Sequence, residues 1–246
     1  MNFDNFLYNS RPFLNYLFDF YSNLEDKKLE DIVKEAGNTE NISILVVDML
    51  NGFCKEGPLA SPRVKKLINP IKELILKSKS SNINNVYFLN DAHIVNTKEF
   101  NEFLPHCIKD NYESQIVDEL KEIVGENPII FEKNSLNGFF EKDFDKSNKL
   151  LEMVLSKLKR DNATFIIVGD CTDLCVYQTA MSIKLIANAR NIDTNVIIPE
   201  NCVDTYDISV TVAEGEKIIP HDGNLLHIMF LYHMKLNGIK IYKEIF

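Results

Sequence analysis

The order of apolar and polar positions divides the chain into buried strands and amphipathic helices. Continuous apolar runs, typical of buried parallel strands, lie at residues 42–50, 85–91, 128–133, 163–170, 193–203 and 239–244. Apolar residues at helical spacing occur at residues 61–79, 113–124, 147–162, 172–191 and about 210–236. The first of these helices is predicted to begin near Pro62 and to bend at Pro70. Strands that alternate with helices predict an α/β protein of three layers, α/β/α, with a mainly parallel, roughly six-stranded, Rossmann-like sheet.

The pattern also separates an N-terminal extension from the rest of the chain. Residues 1–38 are predicted to form a helical extension, apolar at first and polar toward NLEDKKLEDIVKEAGN. The extension lacks a basic start and a small-residue cleavage site, so we interpret it as mature protein rather than a signal peptide. Residues 39–246 are predicted to form one domain, because no linker, repeat or low-complexity tract interrupts them. The extension is expected either to cover a sheet edge or to make a subunit contact.

The composition excludes several classes of function. The 246 residues carry 27 basic and 36 acidic side chains, and this net charge of −9 argues against general binding to nucleic acid or to anionic membranes. No run approaches the ~20 apolar residues of a membrane span. The five cysteines are odd in number and too few for a disulfide scaffold, which favours a reducing, cytoplasmic location. We therefore expect a small-molecule substrate as the partner, and the composition is compatible with a homo-oligomer.

Polar side chains stand at the carboxyl ends of several predicted strands. Asp48, Asp91 and Lys133 end three of the apolar runs, and the turn at residues 170–175 follows a fourth. In open parallel sheets, ligands bind at the carboxyl ends of strands, near the point where the strand order reverses. The sequence therefore predicts that these polar groups meet in one functional site.

The stretch VGDCTDLCVYQTA contains two cysteines four residues apart, where a strand passes into a helix. With Thr172 or Asp173 as the helix N-cap, Cys175 falls in the first helical turn. There the helix dipole favours a thiolate, and free backbone amides favour an oxyanion. Cys175 is thus a candidate nucleophile, with a packed core thiol as the open alternative. The spacing of Cys171 and Cys175 disfavours a zinc clip or a disulfide.

A nucleophilic thiol needs a proton acceptor, and two of the other strand-end residues fit that need. Asp48 ends an apolar strand, where a buried carboxylate is costly unless it has a partner. Lys133 is a candidate for this partner and for holding developing negative charge. Singly, each residue is more often a surface charge; together they suggest an Asp/Lys/Cys set.

A second group of polar residues lies in NDAHIVNTKEFNEFLPHC. Asp91 and His93 are separated by one residue, and Glu99 and His106 follow in a stretch of weak periodicity. Carboxylates with two imidazoles are ligands that suit Zn²⁺, Fe²⁺ or Mn²⁺. A D-x-H pair by itself is a weak signal for a metal site, but its position at a strand end, with His106 in the loop that follows, strengthens that interpretation.

These motifs resemble the isochorismatase-like cysteine hydrolases and, within that family, the nicotinamidase branch. The matching segments are VVDMLNGFC, NDAH…EF…FLPHC, FEKNSLNGF and VGDCTDLCVYQTA, in the order of the family, and the resemblance covers roughly residues 41–245. The resemblance implies an isochorismatase-like fold over residues 39–246. It also implies conversion of nicotinamide and water to nicotinic acid and ammonia, a reaction of NAD salvage and pyridine nucleotide metabolism.

Carried over residue by residue, the resemblance implies a catalytic triad of Asp48, Lys133 and Cys175. Cys175 would attack the carboxamide and form a thioester, with Asp48 moving protons and Lys133 orienting the pair. A cis peptide would join Asp170 to Cys171, and the backbone amides of Cys171 and Cys175 would form the oxyanion hole.

The resemblance further implies one divalent metal, with Zn expected and Fe or Mn as alternatives, and no organic cofactor. The metal would hold the pyridine nitrogen of the substrate. Its implied ligands are Asp91, His93, Glu99 and His106, with Glu102 as a weaker alternative to Glu99. Phe53 matches an aromatic residue that packs on the substrate ring, and Phe139 is predicted to line the pocket.

Three other functions remain open at this stage. One is a sister cysteine hydrolase acting on another small amide, carbamoyl compound or ureide. Isochorismate vinyl-ether hydrolysis is disfavoured by Cys175, because that branch commonly lacks the nucleophilic cysteine. The last is a non-catalytic binding protein that retains the fold, against which the intact Asp48, Lys133 and Cys175 argue. His221, His227 and His233 are interpreted as structural residues rather than ligands.

Overall fold

A computed structural model describes residues 1–125, 127–141 and 147–246 of the chain. In these ranges, seven strands form one sheet in the order β3-β2-β1-β4-β5-β7, with β6 paired to β4. Every pairing is parallel. The strands are β1 Ile42–Val47, β2 Val86–Asp91, β3 Ile129–Lys133, β4 Thr164–Asp170, β5 Asn195–Pro199, β6 Val203–Asp204 and β7 Lys240–Tyr242. The predicted mainly parallel α/β sheet is confirmed.

The helices cover both faces of this sheet. In the described ranges they are α1 Phe3–Ser22, α2 Leu29–Ala36, α3 Asn51–Cys54, α4 Pro62–Lys65, α5 Ile68–Ser80, α6 Asp118–Val124, α7 Lys149–Lys157, α8 Cys175–Ala189, α9 Val210–Glu216 and α10 Gly223–Leu236. One core cluster includes buried side chains of α2, α5 and α6, and the other includes side chains of α7, α8 and α10. The three predicted layers are therefore present.

Strand β1 shows why the central runs are continuously apolar. All six of its residues are buried. Ile44 and Val46 belong to one core cluster, whereas Leu45 and Val47 belong to the other. Because successive side chains of a strand point to opposite faces, a strand covered on both sides is apolar at nearly every position, and Ser43 is the one polar residue of β1.

Three elements that were predicted as continuous are interrupted in the structure. The run at residues 193–203 is split by a short 3₁₀ turn, Glu200–Cys202, which separates β5 from the two-residue β6. The helix predicted over residues 61–79 breaks before Ile68, so Pro70 lies in the first turn of α5, where proline needs no hydrogen-bond partner. The helix predicted over about 210–236 is interrupted at Lys217, which adopts a left-handed conformation.

The N-terminal segment is attached to the body at both of its helices. Helix α1 packs on α10, where Phe13, Tyr16 and Phe20 surround the ring of Tyr232. Helix α2 contributes buried side chains to the core, namely Leu29, Ile32 and Ala36. Between the two helices, the chain pairs in parallel with residues near its own C-terminus, since Lys27 and Ile245 form a bridge. No helix in the described ranges is long and apolar enough to cross a membrane.

Candidate active site

The sheet topology brings the polar strand ends together. Strands β3, β2, β1 and β4 are neighbours, and Asp91 is in register with Lys133. The chain runs outward from β1 to β3 and then returns to β4, so the strand order reverses between β1 and β4. At that point the two strands lie very close, because a Cβ on Gly169 would sit 1.9 Å from the carbonyl oxygen of Val47. Only glycine permits this approach, and Asp48 and the turn after β4 flank it.

Lys133 lies between two carboxylates and a thiol. Its ammonium nitrogen is 2.8 Å from Asp48 Oδ2 and 3.4 Å from Cys175 Sγ, and it also contacts Asp91 Oδ1. The second oxygen of Asp48 accepts a hydrogen bond from the amide of Asp91 at 2.7 Å. One carboxylate oxygen each of Asp48 and Asp91 and the sulfur of Cys175 lie within 4.8 Å of one another. All four side chains are buried, and the structure thus brings the predicted triad together.

The electrostatics of the cluster determine where its protons rest. Burial acts to lower the pKa of Lys133, but Asp48 and Asp91 outweigh it and raise that pKa well above its ordinary value. The pKa of Asp48 is raised to about 6, first by burial and then by the Asp91 carboxylate, with Lys133 opposing. Burial likewise acts to raise the pKa of Asp91, yet Lys133 and the two nearby imidazoles hold it well below its usual range.

The thiol of Cys175 differs from the expectation that the helix start promotes its ionisation. Burial raises the pKa of Cys175 well above its ordinary value, Lys133 opposes that rise, and Asp48 and Asp91 add to it. Enclosure beside two carboxylates therefore outweighs the neighbouring ammonium. The candidate nucleophile is therefore a neutral thiol at rest, with the carboxyl group of Asp48 beside it.

The turn between β4 and α8 has the geometry that the sequence predicts for an oxyanion hole. The peptide bond between Asp170 and Cys171 is cis. Cys175 is the first residue of α8, but its N-cap is Leu174 and not Thr172 or Asp173, as the turn extends further than the spacing indicates. No described residue accepts a hydrogen bond from the backbone amides of Cys171 and Cys175. Both amides are therefore available to a ligand.

Two buried histidines explain why neither Thr172 nor Asp173 caps the helix. Asp173 Oδ2 is 2.8 Å from His221 Nε2, and His221 Nδ1 donates to the backbone oxygen of Tyr206 at 2.9 Å. The ring of Tyr206 stacks on His221 with centroids 3.8 Å apart. Thr172 bonds instead to His227, with Oγ1 and Nδ1 2.8 Å apart. Both polar side chains of the turn are thereby engaged by the C-terminal part of the chain.

The residues of the predicted metal site lie next to the triad. Asp91, His93 and His106 each place a ligand atom within 4.8 Å of the other two. The Nε2 atoms of the two histidines are 3.2 Å apart, and Asp91 Oδ1 and Oδ2 lie 3.4 and 3.5 Å from His93 Nε2 and His106 Nε2, respectively. His106 Nδ1 donates to the carbonyl of Leu104 at 2.8 Å, which leaves its Nε2 as the ligand atom.

Glu99, rather than Glu102, is placed to complete this donor set. Glu99 Oε1 is 3.8 Å from His93 Nε2 and is a buried oxygen without a hydrogen-bond partner among the described residues. Its other carboxylate oxygen is fixed by the amide of Leu136 at 3.0 Å. Glu102 is exposed to solvent. Two imidazoles, two carboxylates and one orphaned carboxylate oxygen fit a divalent metal.

A small cavity connects the triad with the metal donors. It encloses about 30 Å³ and is lined by Asp48, Phe53, Leu59, Val64, Asp91, Glu99, Phe103, His106, Leu136, Asp170, Cys171, Leu174, Cys175 and Tyr206. This volume holds about two water molecules. Phe53 lies against the metal donors, since its ring centroid is 5.4 Å from that of His106. The walls are mostly apolar, whereas the reactive groups share one end.

The structure does not place Phe139 in this cavity. Asn137 accepts a hydrogen bond from the amide of Phe139 at 3.0 Å and donates to Ser182 of α8, also at 3.0 Å. The short turn is thereby held over α8, and Phe139 packs against the core cluster that contains Cys175. The prediction that it lines the pocket is corrected on this ground.

Several lining residues escaped the sequence-based prediction. Tyr206 follows β6 by two residues, so inspection of every strand end would have found it. Phe103 lies between the metal donors Glu99 and His106, where weak periodicity gave no orientation. Asp170, which belongs to the predicted turn at residues 170–175, also faces the cavity. Burial, and then Asp48, raise its pKa well above the usual value.

Comparisons with known proteins identify the family and the fold. The family model described as the Isochorismatase domain matches residues 43–215. No curated protein sequence matches the chain. The solved structure of a nicotinamidase from Bacillus subtilis superimposes with a TM-score of 0.60 and 20% identity, covering 82% of this chain and 99% of its own.

Two further solved structures are similar. A pyrazinamidase of Pyrococcus horikoshii in complex with zinc gives a TM-score of 0.57 and 22% identity, covering 82% of this chain and 99% of its own. An N-carbamoylsarcosine amidase from Thermoplasma acidophilum gives 0.55 and 23%, covering 82% and 95%. At these identities the likeness shows a shared fold.

Proposed function

The chain belongs to the isochorismatase family of hydrolases, and from this premise we propose that it is a cysteine-dependent amidohydrolase that converts nicotinamide and water to nicotinic acid and ammonia. The observation that carries the proposal is the contact of Lys133 with Asp48, Asp91 and Cys175 in a buried cluster beside two free backbone amides. A buried ion cluster of this kind is costly to fold and is typical of catalytic sites.

The first half of the reaction begins with the neutral thiol. As Cys175 Sγ bonds to the carboxamide carbon, its proton passes to Asp48, whose pKa of about 6 suits a base near neutral pH. The carbonyl oxygen becomes an oxyanion, which the amides of Cys171 and Cys175 stabilise. The C–N bond then breaks, and Asp48 returns the proton to the departing ammonia, leaving a thioester on Cys175.

The second half hydrolyses the thioester. Asp48 accepts a proton from water, which attacks the acyl carbon and forms a second oxyanion at the same amides. The C–S bond breaks, the thiol recovers its proton, and nicotinic acid leaves. Lys133 stays protonated throughout, because its pKa lies well above the ordinary value, and it holds the carboxylate and the sulfur in place.

A divalent metal held by Asp91, His93, Glu99 and His106 would supply a Lewis-acidic contact for the pyridine nitrogen of the substrate. The zinc in the similar pyrazinamidase favours zinc here. Within this chain, Phe53 and Phe103 provide the apolar walls for a flat ring between the metal donors and the thiol.

Ammonia release from nicotinamide by the purified protein tests the proposal, with metal analysis of the same sample. We expect turnover and about one equivalent of metal per chain. Bound metal without turnover of nicotinamide would indicate that the substrate is another heteroaromatic amide. The absence of both would contradict the proposed reaction and the four-ligand site.

A second candidate is a sister hydrolase of small carbamoyl compounds or ureides. The similar N-carbamoylsarcosine amidase supports this candidate. The two candidates differ in their need for the metal donors. Turnover of a carbamoyl compound by protein stripped of metal, with none of nicotinamide, would establish the second.

A further inference from the structure

Two segments outside residues 43–215, the range of the family-model match, meet behind the turn that carries the candidate nucleophile. One is the end of α1, which supplies Tyr21. The other is α10, which supplies His227. Their ring centroids are 6.0 Å apart in an edge-on arrangement. Neither residue lines the substrate cavity.

A chain of hydrogen bonds runs from Tyr21 to this turn. The hydroxyl of Tyr21 donates to Glu200 Oε1 at 2.7 Å, and His227 Nε2 lies 3.3 Å from the same oxygen. On the other side of the ring, His227 Nδ1 is 2.8 Å from Thr172 Oγ1. We call Tyr21, Glu200, His227 and Thr172 the tyrosine relay.

For a neutral His227 ring, one arrangement of protons satisfies every bond of the relay. A carboxylate only accepts, so His227 Nε2 carries the hydrogen that it donates to Glu200. Nδ1 of the neutral ring is then an acceptor, and the hydroxyl of Thr172 donates to it. The pKa of Glu200 is lowered because the bonds from His227 and Tyr21 outweigh the opposing effect of its burial, which keeps it a carboxylate.

Burial stiffens the end of the relay that lies nearest the turn. Thr172 is 0% exposed and His227 is 4% exposed, so water does not replace a lost partner of the Thr172 hydroxyl, whereas Tyr21 and Glu200 are only partly buried. The backbone amide of Thr172 is also fixed, by the carbonyl of Asp204 at 3.0 Å. Thr172 adjoins Cys171, whose amide is one of the two free donors, and it precedes Cys175 by three residues. A shift of Thr172 would therefore move the amide of Cys171 relative to the thiol of Cys175.

We propose that Tyr21 is a positioning residue through which the N-terminal helix holds the nucleophile turn, acting by way of Glu200, His227 and Thr172. The inference rests on the proposed function, since it assigns the turn a role in amide hydrolysis. Loss of the relay lowers the turnover number while leaving substrate affinity nearly unchanged, because none of its members lines the cavity. Catalysis is sensitive to such displacements, since a misplacement of about 1 Å can cost about a hundredfold in rate.

The test compares Tyr21→Phe with Tyr16→Phe by steady-state kinetics on nicotinamide. Tyr16 packs on Tyr232 of α10, as part of the same helix contact, but its hydroxyl has no partner among the described residues. We expect Tyr21→Phe to lower kcat about threefold, with KM within about twofold of the parent, and Tyr16→Phe to leave both unchanged. Equal kcat values for the two variants would overturn the proposal.

The relay also predicts coupling between its ends. Thr172→Val should lower kcat about tenfold, and Thr172→Ser should restore most of that loss by returning the hydroxyl. In the Thr172→Val background, Tyr21→Phe should have no further effect, because the relay is already broken. Additive losses in the double variant would assign Tyr21 a merely structural role, as would a fall in the unfolding midpoint with unchanged kcat.

A substrate-independent readout separates failure of the relay from failure of the proposed function. The rate of Cys175 alkylation by iodoacetamide, followed by peptide mass spectrometry, reports the position of the thiol whatever the substrate is. We expect this rate to change in Tyr21→Phe and Thr172→Val, and that of buried Cys54 to stay constant. If the parent protein hydrolyses no amide, the proposed function is wrong. The alkylation rate of Cys175 then tests the relay by itself. An unchanged rate at Cys175 would then overturn it.

Discussion

At the scale of single residues, the chemistry of the site depends on which side chains carry protons. Asp48, Lys133 and Cys175 lie within contact distance, and burial raises the pKa of both the carboxyl group and the thiol. The thiolate therefore forms only when the base accepts its proton. The two cysteines of the turn have different duties in this scheme, since one supplies a side chain and the other only a backbone amide.

Cys175→Ala is expected to lower kcat at least about a thousandfold, because the nucleophile is lost. Cys171→Ala keeps its backbone amide and should lose no more than about tenfold. Ammonia release under saturating substrate measures both variants. Similar losses at the two positions would show that the roles assigned here are wrong.

The metal donors give a second prediction with a matched control. Glu99→Gln should weaken metal binding at least about tenfold, because the orphaned oxygen beside His93 is replaced by a neutral amide. Glu102→Gln, three residues away and exposed, should bind metal like the parent. Zinc titration with a competing chelator measures both affinities, without any need for turnover. Parent-like binding by the Glu99 variant would remove it from the site.

At the scale of elements, the turn after β4 depends on residues far from it in sequence. Asp173 pairs with His221, which lies two residues before α10, and Thr172 pairs with His227 within α10. The turn is thus held by α10 and by the segment that leads into it. Helical spacing alone gives no sign of these pairings, because a buried histidine and a surface histidine look alike in a sequence.

The Asp173–His221 pair should make stability depend on pH in a defined window. The pKa of His221 is raised because Asp173 outweighs the lowering effect of burial, with a smaller contribution from Asp207, and the pKa of Asp173 is lowered because His221 outweighs burial. The histidine's contribution is complete below its unfolded pKa of about 6.5 and is lost as pH rises through its raised folded value. The contribution of Asp173 is complete above about pH 3.9 and is lost as pH falls through its depressed value.

Asp173→Asn is therefore expected to cost about 2 kcal/mol of unfolding free energy between about pH 4 and 6.5. The difference from the parent should shrink as pH rises past the folded pKa of His221. Urea unfolding at several pH values measures it. A difference that is the same at every pH would mean that the pair is not ionic.

Sequence patterns predicted some features of these elements and not others. Strand ends located Asp48, Asp91, Lys133 and Cys175, because parallel strands bring their carboxyl ends to one edge of the sheet whatever their neighbours are. The N-cap at Leu174 was not predictable in the same way. It depends on the pairing of Asp173 with His221 and of Thr172 with His227, and such long-range pairings leave no local signal. Phe139 shows the same limit, since its turn is fixed by Asn137 reaching α8.

At the scale of the whole molecule, the N-terminal extension and the C-terminal region pack against each other. Helix α1 rests on α10, and residues 25–29 exchange backbone hydrogen bonds with residues 243–246. Helix α2 lies in the same core cluster as β1 and α5. The sequence indicated a helical extension. The apolar stripe of Leu29, Ile32 and Ala36 was not predicted, because these residues lie within a mostly polar stretch.

This packing predicts that the extension unfolds with the body. Ile32 is 1% exposed, so Ile32→Ala should cost about 3 kcal/mol of unfolding free energy. Lys34→Ala, on the exposed face of the same helix, should change it by less than about 0.5 kcal/mol. Both should unfold in one transition in urea, followed by circular dichroism. A separate early transition, or an unchanged stability for Ile32→Ala, would show that residues 29–36 form an independent unit.

The enclosure of Cys175 has a consequence for redox chemistry. Peroxide oxidises thiolates that solvent reaches, and it reacts slowly with protonated, buried thiols. Cys175 is only 5% exposed, and its pKa is raised by burial. We therefore expect the resting protein to keep its nucleophile reduced under oxidative stress that inactivates enzymes with exposed thiolates. The same environment that delays ionisation until a substrate arrives also shields the sulfur from sulfenic acid formation.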